Sequence, residues 1–132
     1  MAINYMSRSM EAEALRTEII AAGGRAAVLR ADVADPAAVA AMFAKVEAEL
    51  GPVSILVNNA GVSAPATLDS YDATLLDRMR AVNVNGVIHT VRAVMVGMKA
   101  RGYGRIVNIA SNAAIGTRSR ARRSMPQRRR KC

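Results

Sequence analysis

The chain is poor in aromatic residues and cysteine, and it has no long apolar run. Aromatic residues make up 3% of the 132 residues, a composition that suits an Ala/Val-rich α/β protein better than a nucleic-acid stacking platform. The single cysteine, Cys132, cannot form an internal disulfide, which is typical of the cytosol. No stretch approaches the roughly 18 apolar residues that cross a membrane, and no secretory leader is visible. These absences predict a cytoplasmic protein that does not associate with membranes.

The net charge of +9 belongs to one end of the chain. Residues 1–117 contain 11 Lys/Arg and 10 Asp/Glu, whereas residues 118–132 contain 8 Lys/Arg and no acidic residue. The last segment has no periodicity and little to bury, so it is predicted to be disordered. We therefore expect a nearly neutral domain over 1–117 and a basic tail over 118–132. The tail leaves open a nucleic-acid-binding function through phosphate contacts.

Strand-like and helix-like segments alternate along residues 1–117. The pattern predicts strands at 2–5, 26–31, 53–57 and 105–110, and helices at 11–22, 36–50 and 75–101. Asp35-Pro36 is a typical helix start, with a capping carboxylate and a proline at the first position, and Gly51-Pro52 is a typical end. Such alternation indicates βαβ units and a parallel sheet.

Two of the predicted strands end in polar motifs. The run that begins at Val53 ends in Val57-Asn58-Asn59-Ala60-Gly61. The fourth strand, which we expect to be buried, lies in Gly104-Arg105-Ile106-Val107-Asn108-Ile109-Ala110-Ser111. In open α/β sheets, ligands bind at the carboxyl ends of the strands. The first motif alone is also compatible with an ordinary asparagine turn.

These motifs, in this order, resemble the short-chain dehydrogenase/reductases, a family of NAD(P)-dependent oxidoreductases that includes 3-oxoacyl-ACP reductases and glucose dehydrogenases. The resemblance covers about Ala2 to Thr117. It implies an α/β fold with a doubly wound, Rossmann-type parallel sheet. It also implies hydride transfer between NAD(P)H and a small carbonyl or alcohol substrate, such as a 3-oxoacyl thioester, a sugar or a small ketone. Intact relatives are expected to be homo-oligomers. A non-catalytic interaction remnant is the remaining alternative.

The resemblance implies five cofactor neighbours at the strand ends: Asp32, Val33, Asn58, Ala60 and Gly61. Asp32 and Val33 would lie beside the adenine, although Asp32 could instead cap the turn before Asp35. The Asn58 amide would bracket the cofactor and brace the sheet, and Gly61 would let the backbone approach the ligand closely.

Arg8 indicates NADP rather than NAD as the cofactor. Family members that use NAD commonly carry a carboxylate at the end of this strand, which holds the ribose hydroxyls. Here the strand ends at Asn4-Tyr5 without a carboxylate, and Arg8 follows. A guanidinium suits a 2′-phosphate, although Arg8 is also compatible with a simple surface position.

Two residues match the family's catalytic positions. Ser111 corresponds to the serine that hydrogen-bonds the substrate carbonyl and stabilises the developing oxyanion. Asn83 corresponds to an asparagine that interrupts the long helix and anchors a water linked to the catalytic lysine; Asn85 is a competitor for that role. His89 fits no motif and is predicted to lie on the helix surface. No Cys/His cluster indicates a metal.

Two family motifs are not found in the sequence: the glycine-rich turn T-G-x-x-x-G-x-G after the first strand, and the catalytic Tyr-x-x-x-Lys. The chain therefore resembles the family from its second strand onward, without the first strand and the C-terminal half. In the strand order 3-2-1-4-5-6 the first strand is central, so its neighbours would be separated by roughly 10 Å. We expect them to close up non-natively or to leave ladder groups unpaired. Alone, the chain should bind cofactor poorly and turn over negligibly.

The basic tail is interpreted as a shifted reading of the family's catalytic segment. If one base is missing after the codon for Thr117, Arg118 to Cys132 can be read in the restored frame as Ala-Leu-Ala-Gly-Thr-Thr-Phe-Tyr-Ala-Ala-Thr-Lys-Ala-Glu-Val. That reading contains Tyr-x-x-x-Lys, with tyrosine in place of Met125 and lysine in place of Arg129. Alanine and threonine codons that end in CG become arginine codons when displaced, which accounts for the arginines. A true basic extension is the alternative.

Overall fold

Strands and helices alternate along the chain in the computed structural model, which describes residues 1–63 and 72–111. The four strands are β1 (Ala2–Tyr5), β2 (Ala27–Arg30), β3 (Ile55–Asn58) and β4 (Arg105–Asn108). The four α-helices are α1 (Ser9–Ala21), α2 (Pro36–Leu50), α3 (Ala73–Arg80) and α4 (Gly86–Ala100). The π-helical turn Ala81–Asn85 joins α3 to α4, so the predicted long helix is present and runs from Ala73 to Ala100. No helix in the described ranges is long and apolar enough to cross a membrane.

Local chemistry sets the ends of α2 where the sequence predicts them. The Asp35 side chain accepts a hydrogen bond from the Ala37 N–H at 2.8 Å, and Pro36 opens the helix. Gly51 ends the helix with a φ of 89°, in the left-handed region that favours glycine. β2, β3 and β4 differ from their predicted spans by one to two residues at one or both ends.

The sheet consists of two separate parallel pairs. β1 pairs with β2, with Ala2 opposite Ala27, and β3 pairs with β4, with Ile55 opposite Arg105. Within the described residues, no ladder joins one pair to the other. Among residues 1–63 and 72–111, β1 and β3 each pair along one edge, so the expected break in the sheet is seen between the two pairs and they have not closed up into one ladder.

One apolar core holds the two pairs together. Helix α2 packs against β2 and against α4, and α4 packs against β3. Leu29 of β2, Phe43 of α2, Leu56 of β3 and Val94 of α4 all belong to the same buried cluster. The pairs are therefore fixed relative to each other by the helices and not by backbone hydrogen bonds.

The other side of the sheet is much less covered. Helix α1 contacts β1 and β2, and Ala12 is its only buried residue. The prediction that the fourth strand is buried is wrong, because all four residues of β4 are exposed. Val57 and its partner Val107 are 55% and 44% exposed, since no described helix lies over that face of the β3–β4 pair.

Candidate functional site

A small cleft lies at the carboxyl ends of β2 and β3, the edge where ligands bind in open α/β sheets. It encloses about 10 Å³, room for about one water molecule. Its lining comes from both strand ends and from the start of α4: Val33, Asn58, Ala60, Val82, Gly86, Val87 and Thr90. Three residues that were predicted as cofactor neighbours, Val33, Asn58 and Ala60, are thus brought together.

Asn58 is held by hydrogen bonds at both ends of its amide. Its Oδ1 accepts from the Thr90 hydroxyl at 2.7 Å, and its Nδ2 donates to Asn108 Oδ1 at 2.9 Å. Asn108 lies directly opposite Asn58 in the β3–β4 register, and Thr90 is 5% exposed. The amide therefore braces β3 against β4 and α4, in agreement with the bracing role expected for it.

Asn83 lies in the π-helical turn and binds the loop that follows β3. Its Oδ1 accepts from the Val62 N–H and its Nδ2 donates to the Val62 carbonyl, both at 2.9 Å. Gly61 precedes that loop residue, and a Cβ built on it would lie 3.6 Å from Asn83 Oδ1. The interruption of the helix expected at Asn83 is observed, and the side chain closes the loop onto the helix.

Asp32 follows β2 at the rim of the cleft. Its Oδ1 accepts from the Ala34 N–H at 2.9 Å, and its Oδ2 accepts from Arg78 Nη1 at 2.8 Å. The hydrogen bond from Arg78 is the main reason that the pKa of Asp32 lies below its ordinary value of 3.8, against the opposing effect of partial burial. The turn contact expected for Asp32 is made to Ala34, and Asp32 is ionised at neutral pH.

Val33 is buried where the start of α4 approaches the segment that follows β2. A Cβ added to Gly86 would lie 2.7 Å from Val33 Cγ2, so the close approach requires glycine at position 86. His89 Nδ1 lies 3.0 Å from the Val33 carbonyl oxygen and the residue is half-buried. This corrects the prediction of a surface position for His89: the ring is half-buried because α4 packs against the segment around Val33, which follows β2.

Ser111 and Arg8 lie apart from the cleft lining. Ser111 follows the end of β4 and is exposed. Arg8 immediately precedes α1 and is exposed, and its guanidinium makes no hydrogen bond or ion pair within residues 1–63 and 72–111. The basic tail, in which Tyr-x-x-x-Lys was expected after a frame correction, lies outside the described residues.

Four lining residues of the cleft were not singled out from the sequence: Val82, Gly86, Val87 and Thr90. Arg78, which binds Asp32 at the rim, was not singled out either. Gly86 and Thr90 share the buried face of α4 with Val94 and Met98, at intervals of four residues. The four-residue spacing is visible in the sequence, but it does not indicate that Gly86 contacts Val33 or that Thr90 bonds to Asn58. In the described part of the chain, no group of three or more His, Cys, Asp or Glu residues could hold a metal ion.

A family model, curated proteins and solved structures all place the chain among the same group of proteins. Residues 1–122 match the family model for short chain dehydrogenase. The acetoacetyl-CoA reductase of Rhizobium meliloti is 36% identical over 111 residues, which cover 84% of this chain and 44% of that protein. The gluconate 5-dehydrogenase of Burkholderia cenocepacia, solved in complex with NADP and tartrate, superposes with a TM-score of 0.73 at 36% identity, covering 83% of this chain and 43% of that one.

A blue fluorescent protein from a metagenomic library, solved in complex with NADPH, superposes with a TM-score of 0.78 at 35% identity, covering 87% of this chain and 47% of that one. The chain spans less than half the length of the curated relatives it matches, from 31% to 46%. Since the family model matches nearly the whole of it, the chain belongs to the short-chain dehydrogenase/reductase family.

Proposed function

We propose that this chain forms the adenine-binding side of an NADP(H)-dependent oxidoreductase that transfers hydride between the cofactor and a small carbonyl or alcohol substrate. The observation that carries the proposal is the cleft at the carboxyl ends of β2 and β3, lined by Val33, Asn58 and Ala60. Parallel α/β sheets bind nucleotides at this edge. The family match supports the oxidoreductase over the nucleic-acid alternative.

The residues around the cleft fit one end of a dinucleotide. The cleft encloses about 10 Å³, far less than the roughly 300–1,000 Å³ of typical ligand pockets, so a purine would rest against its open mouth rather than fill it. Asp32 offers a carboxylate to a purine amino group, and Val33 offers an apolar wall. When bound, the dinucleotide supplies the hydride; these residues bind and orient its adenine end.

Arg8 supports NADP over NAD. It stands just after β1, no carboxylate lies between Asn4 and Arg8, and its guanidinium has no partner among the described residues. A free guanidinium beside the adenosine ribose would pair with a 2′-phosphate. The two structural relatives that were solved with NADP or NADPH are consistent with this choice.

For the reaction itself, we propose that Ser111 hydrogen-bonds the substrate oxygen and that Asn83 organises the turn behind it. The substrate class extends over 3-oxoacyl thioesters, sugars and small ketones, and acetoacetyl-CoA is the first to try because one relative is named for its reduction. Because no Tyr-x-x-x-Lys is present in the sequence, we expect the chain alone to turn over negligibly. A lost general acid/base typically costs about 10²–10⁴-fold. We further propose a cytoplasmic homo-oligomer as the intact form.

Two measurements test the proposal. In the first, the 132-residue chain is assayed for NADPH and NADH oxidation with acetoacetyl-CoA and a panel of ketones. Turnover close to that of an intact relative would show that the assignment of the catalytic residues is mistaken.

The second measurement uses a hybrid enzyme in which residues 1–111 replace the matching segment of the Burkholderia gluconate 5-dehydrogenase. Arg8→Ala should raise its KM for NADPH and leave its KM for NADH nearly unchanged. Arg92→Ala, which removes an exposed arginine of α4, should change neither. A native preference of the hybrid for NADH would contradict the cofactor assignment.

A further inference from the structure

The ion pair between Asp32 and Arg78 joins two distant parts of the chain at the rim of the cleft. Asp32 follows β2 and Arg78 lies in α3, 46 positions later in the sequence. Their side chains are 25% and 43% exposed, so the pair is open to solvent and to a ligand on one side. Val33, the next residue after Asp32, lines the cleft.

Both carboxylate oxygens of Asp32 are fixed by donors within the protein. The Ala34 N–H bonds to Oδ1 and the Arg78 guanidinium bonds to Oδ2. Two donors on different oxygens set the rotation of the carboxylate and keep it ionised. Each oxygen keeps unused acceptor capacity, and an ionised carboxylate has no hydrogen to donate. A ligand group that meets this carboxylate must therefore be a donor.

Purines differ in this respect at carbon 6. Adenine carries an amino group there, which donates, whereas hypoxanthine carries an oxo group, which accepts. A fixed carboxylate that faces carbon 6 would accept a hydrogen bond from the amino group of adenine and repel the oxo group of hypoxanthine. If Arg78 were absent, the carboxylate would be free to rotate away or to take up a proton, and the distinction would weaken.

We propose that Arg78 is a positioning residue that holds Asp32 as an acceptor for the 6-amino group of adenine and so selects 6-amino over 6-oxo purine nucleotides. The inference rests on the proposed function, since it assumes that the purine of the cofactor rests against the mouth of the cleft, beside Val33 and Asp32. A simple tether between α3 and β2 would need the same ion pair, but it would not affect the choice between two purines.

The test uses the 132-residue chain and two probes, adenosine 5′-monophosphate and inosine 5′-monophosphate. Binding is followed in the millimolar range by the backbone amide NMR shifts of Val33 and Ala34. A hydrogen bond to a charged group typically changes affinity by about tenfold or more, so AMP should bind the wild type about tenfold more tightly than IMP.

Three variants separate positioning from tethering. Arg78→Ala should reduce the AMP/IMP affinity ratio at least threefold, and Arg78→Lys, which restores a cation, should recover part of it. Asp32→Asn should bring the ratio close to one, because an amide can both donate and accept. Arg80→Ala is the matched control, since Arg80 is an exposed arginine of the same helix without an ion pair in the described ranges, and it should retain the wild-type ratio.

The outcomes distinguish this inference from the proposed function. If the wild type binds neither nucleotide, the cleft is not a purine site and both fail. If AMP binds but the ratio is unchanged in Arg78→Ala, or is near one in the wild type, only the role of Arg78 is overturned. If Arg78→Ala fails to fold, as its amide spectrum would show, Arg78→Lys and Asp32→Asn still decide: a wild-type ratio in Asp32→Asn refutes the inference.

Discussion

Asn83 pairs with Val62 through two antiparallel hydrogen bonds, both 2.9 Å long, in which its side-chain amide takes the place of a peptide group. The loop after β3 thereby gains a partner for both of its backbone polar groups at Val62. The helix between Ala73 and Ala100 widens to a π-helical turn at the same place. Such turns are rare and are often found at functional sites.

Asn83→Ala should lower the free energy of unfolding by about 1–2 kcal/mol, because each hydrogen bond contributes roughly 0.5–1.5 kcal/mol. The measurement is urea unfolding followed by circular dichroism. Asn85→Ala is the control, since Asn85 is exposed in the same turn and makes no side-chain hydrogen bond in the described part of the chain. Equal losses in the two variants would show that the bonds to Val62 are not what stabilises the loop.

Gly86→Ala should destabilise the chain by about 1–3 kcal/mol, the usual cost of overpacking. The new methyl group would lie 2.7 Å from Val33 Cγ2 and 3.2 Å from Val33 Cβ, so α4 and Val33 must move apart. Gly97→Ala is the control in the same helix. Its methyl group meets only the flexible end of Arg101, and helix propensity favours alanine by about 1 kcal/mol. Thermal unfolding of both variants measures the difference, and a stabilised Gly86→Ala would refute the close approach.

The ion pair of Asp32 should make stability depend on pH in the acid range. The folded-state pKa of Asp32 lies below 3.8, so its contribution is present above about that pH and is lost as the pH falls through the folded value. Asp32→Asn should therefore be less stable than the wild type at pH 7, by about 0.2–1 kcal/mol for an exposed pair. The difference should shrink below pH 3.8. Arg78→Ala should show the same narrowing in urea titrations at several pH values, and a difference that stays constant down to pH 2 would contradict the pairing.

In the hybrid enzyme defined above, substitutions of Ser111 and Asn58 should affect different kinetic parameters. Ser111→Ala should reduce kcat by about 10²-fold or more, the scale of a lost oxyanion donor, with little change in cofactor affinity. Asn58→Ala should instead lower stability or cofactor affinity, because its amide is bonded to Thr90 and Asn108. Steady-state kinetics combined with NADPH fluorescence titration make the comparison. Equal effects of the two changes on cofactor dissociation would refute this division.

The shifted-frame interpretation of residues 118–132 predicts a defined result in the coding DNA. The family model matches residues 1–122 and so ends inside the arginine-rich segment. Resequencing should recover one base after the codon for Thr117 and continue into Tyr-x-x-x-Lys, with tyrosine in place of Met125. A restored frame that lacks this motif or meets a stop codon at once would leave a true basic extension as the explanation.

The sequence by itself determined the order of strands and helices and the ends of α2. These features depend on neighbouring residues: the Asp35 carboxylate reaches the Ala37 N–H two positions away, and Gly51 adopts its positive φ without help from other elements. It also located the strand ends that carry Asn58 and Ser111, because apolar runs followed by polar residues are local patterns. The helix break at Asn83 was expected only through the family resemblance.

The tertiary structure decided which side chains contact each other across the fold. Asn58 and Thr90 are 32 positions apart, and Asp32 and Arg78 are 46 apart, so no local pattern pairs them. The exposure of β4 was missed for a related reason: an apolar strand is buried only if another element covers it, and α4 packs against β3 whereas no described helix packs extensively against β4. Short-range capping and periodicity can be read along the chain, whereas burial and pairing exist only once distant segments have packed.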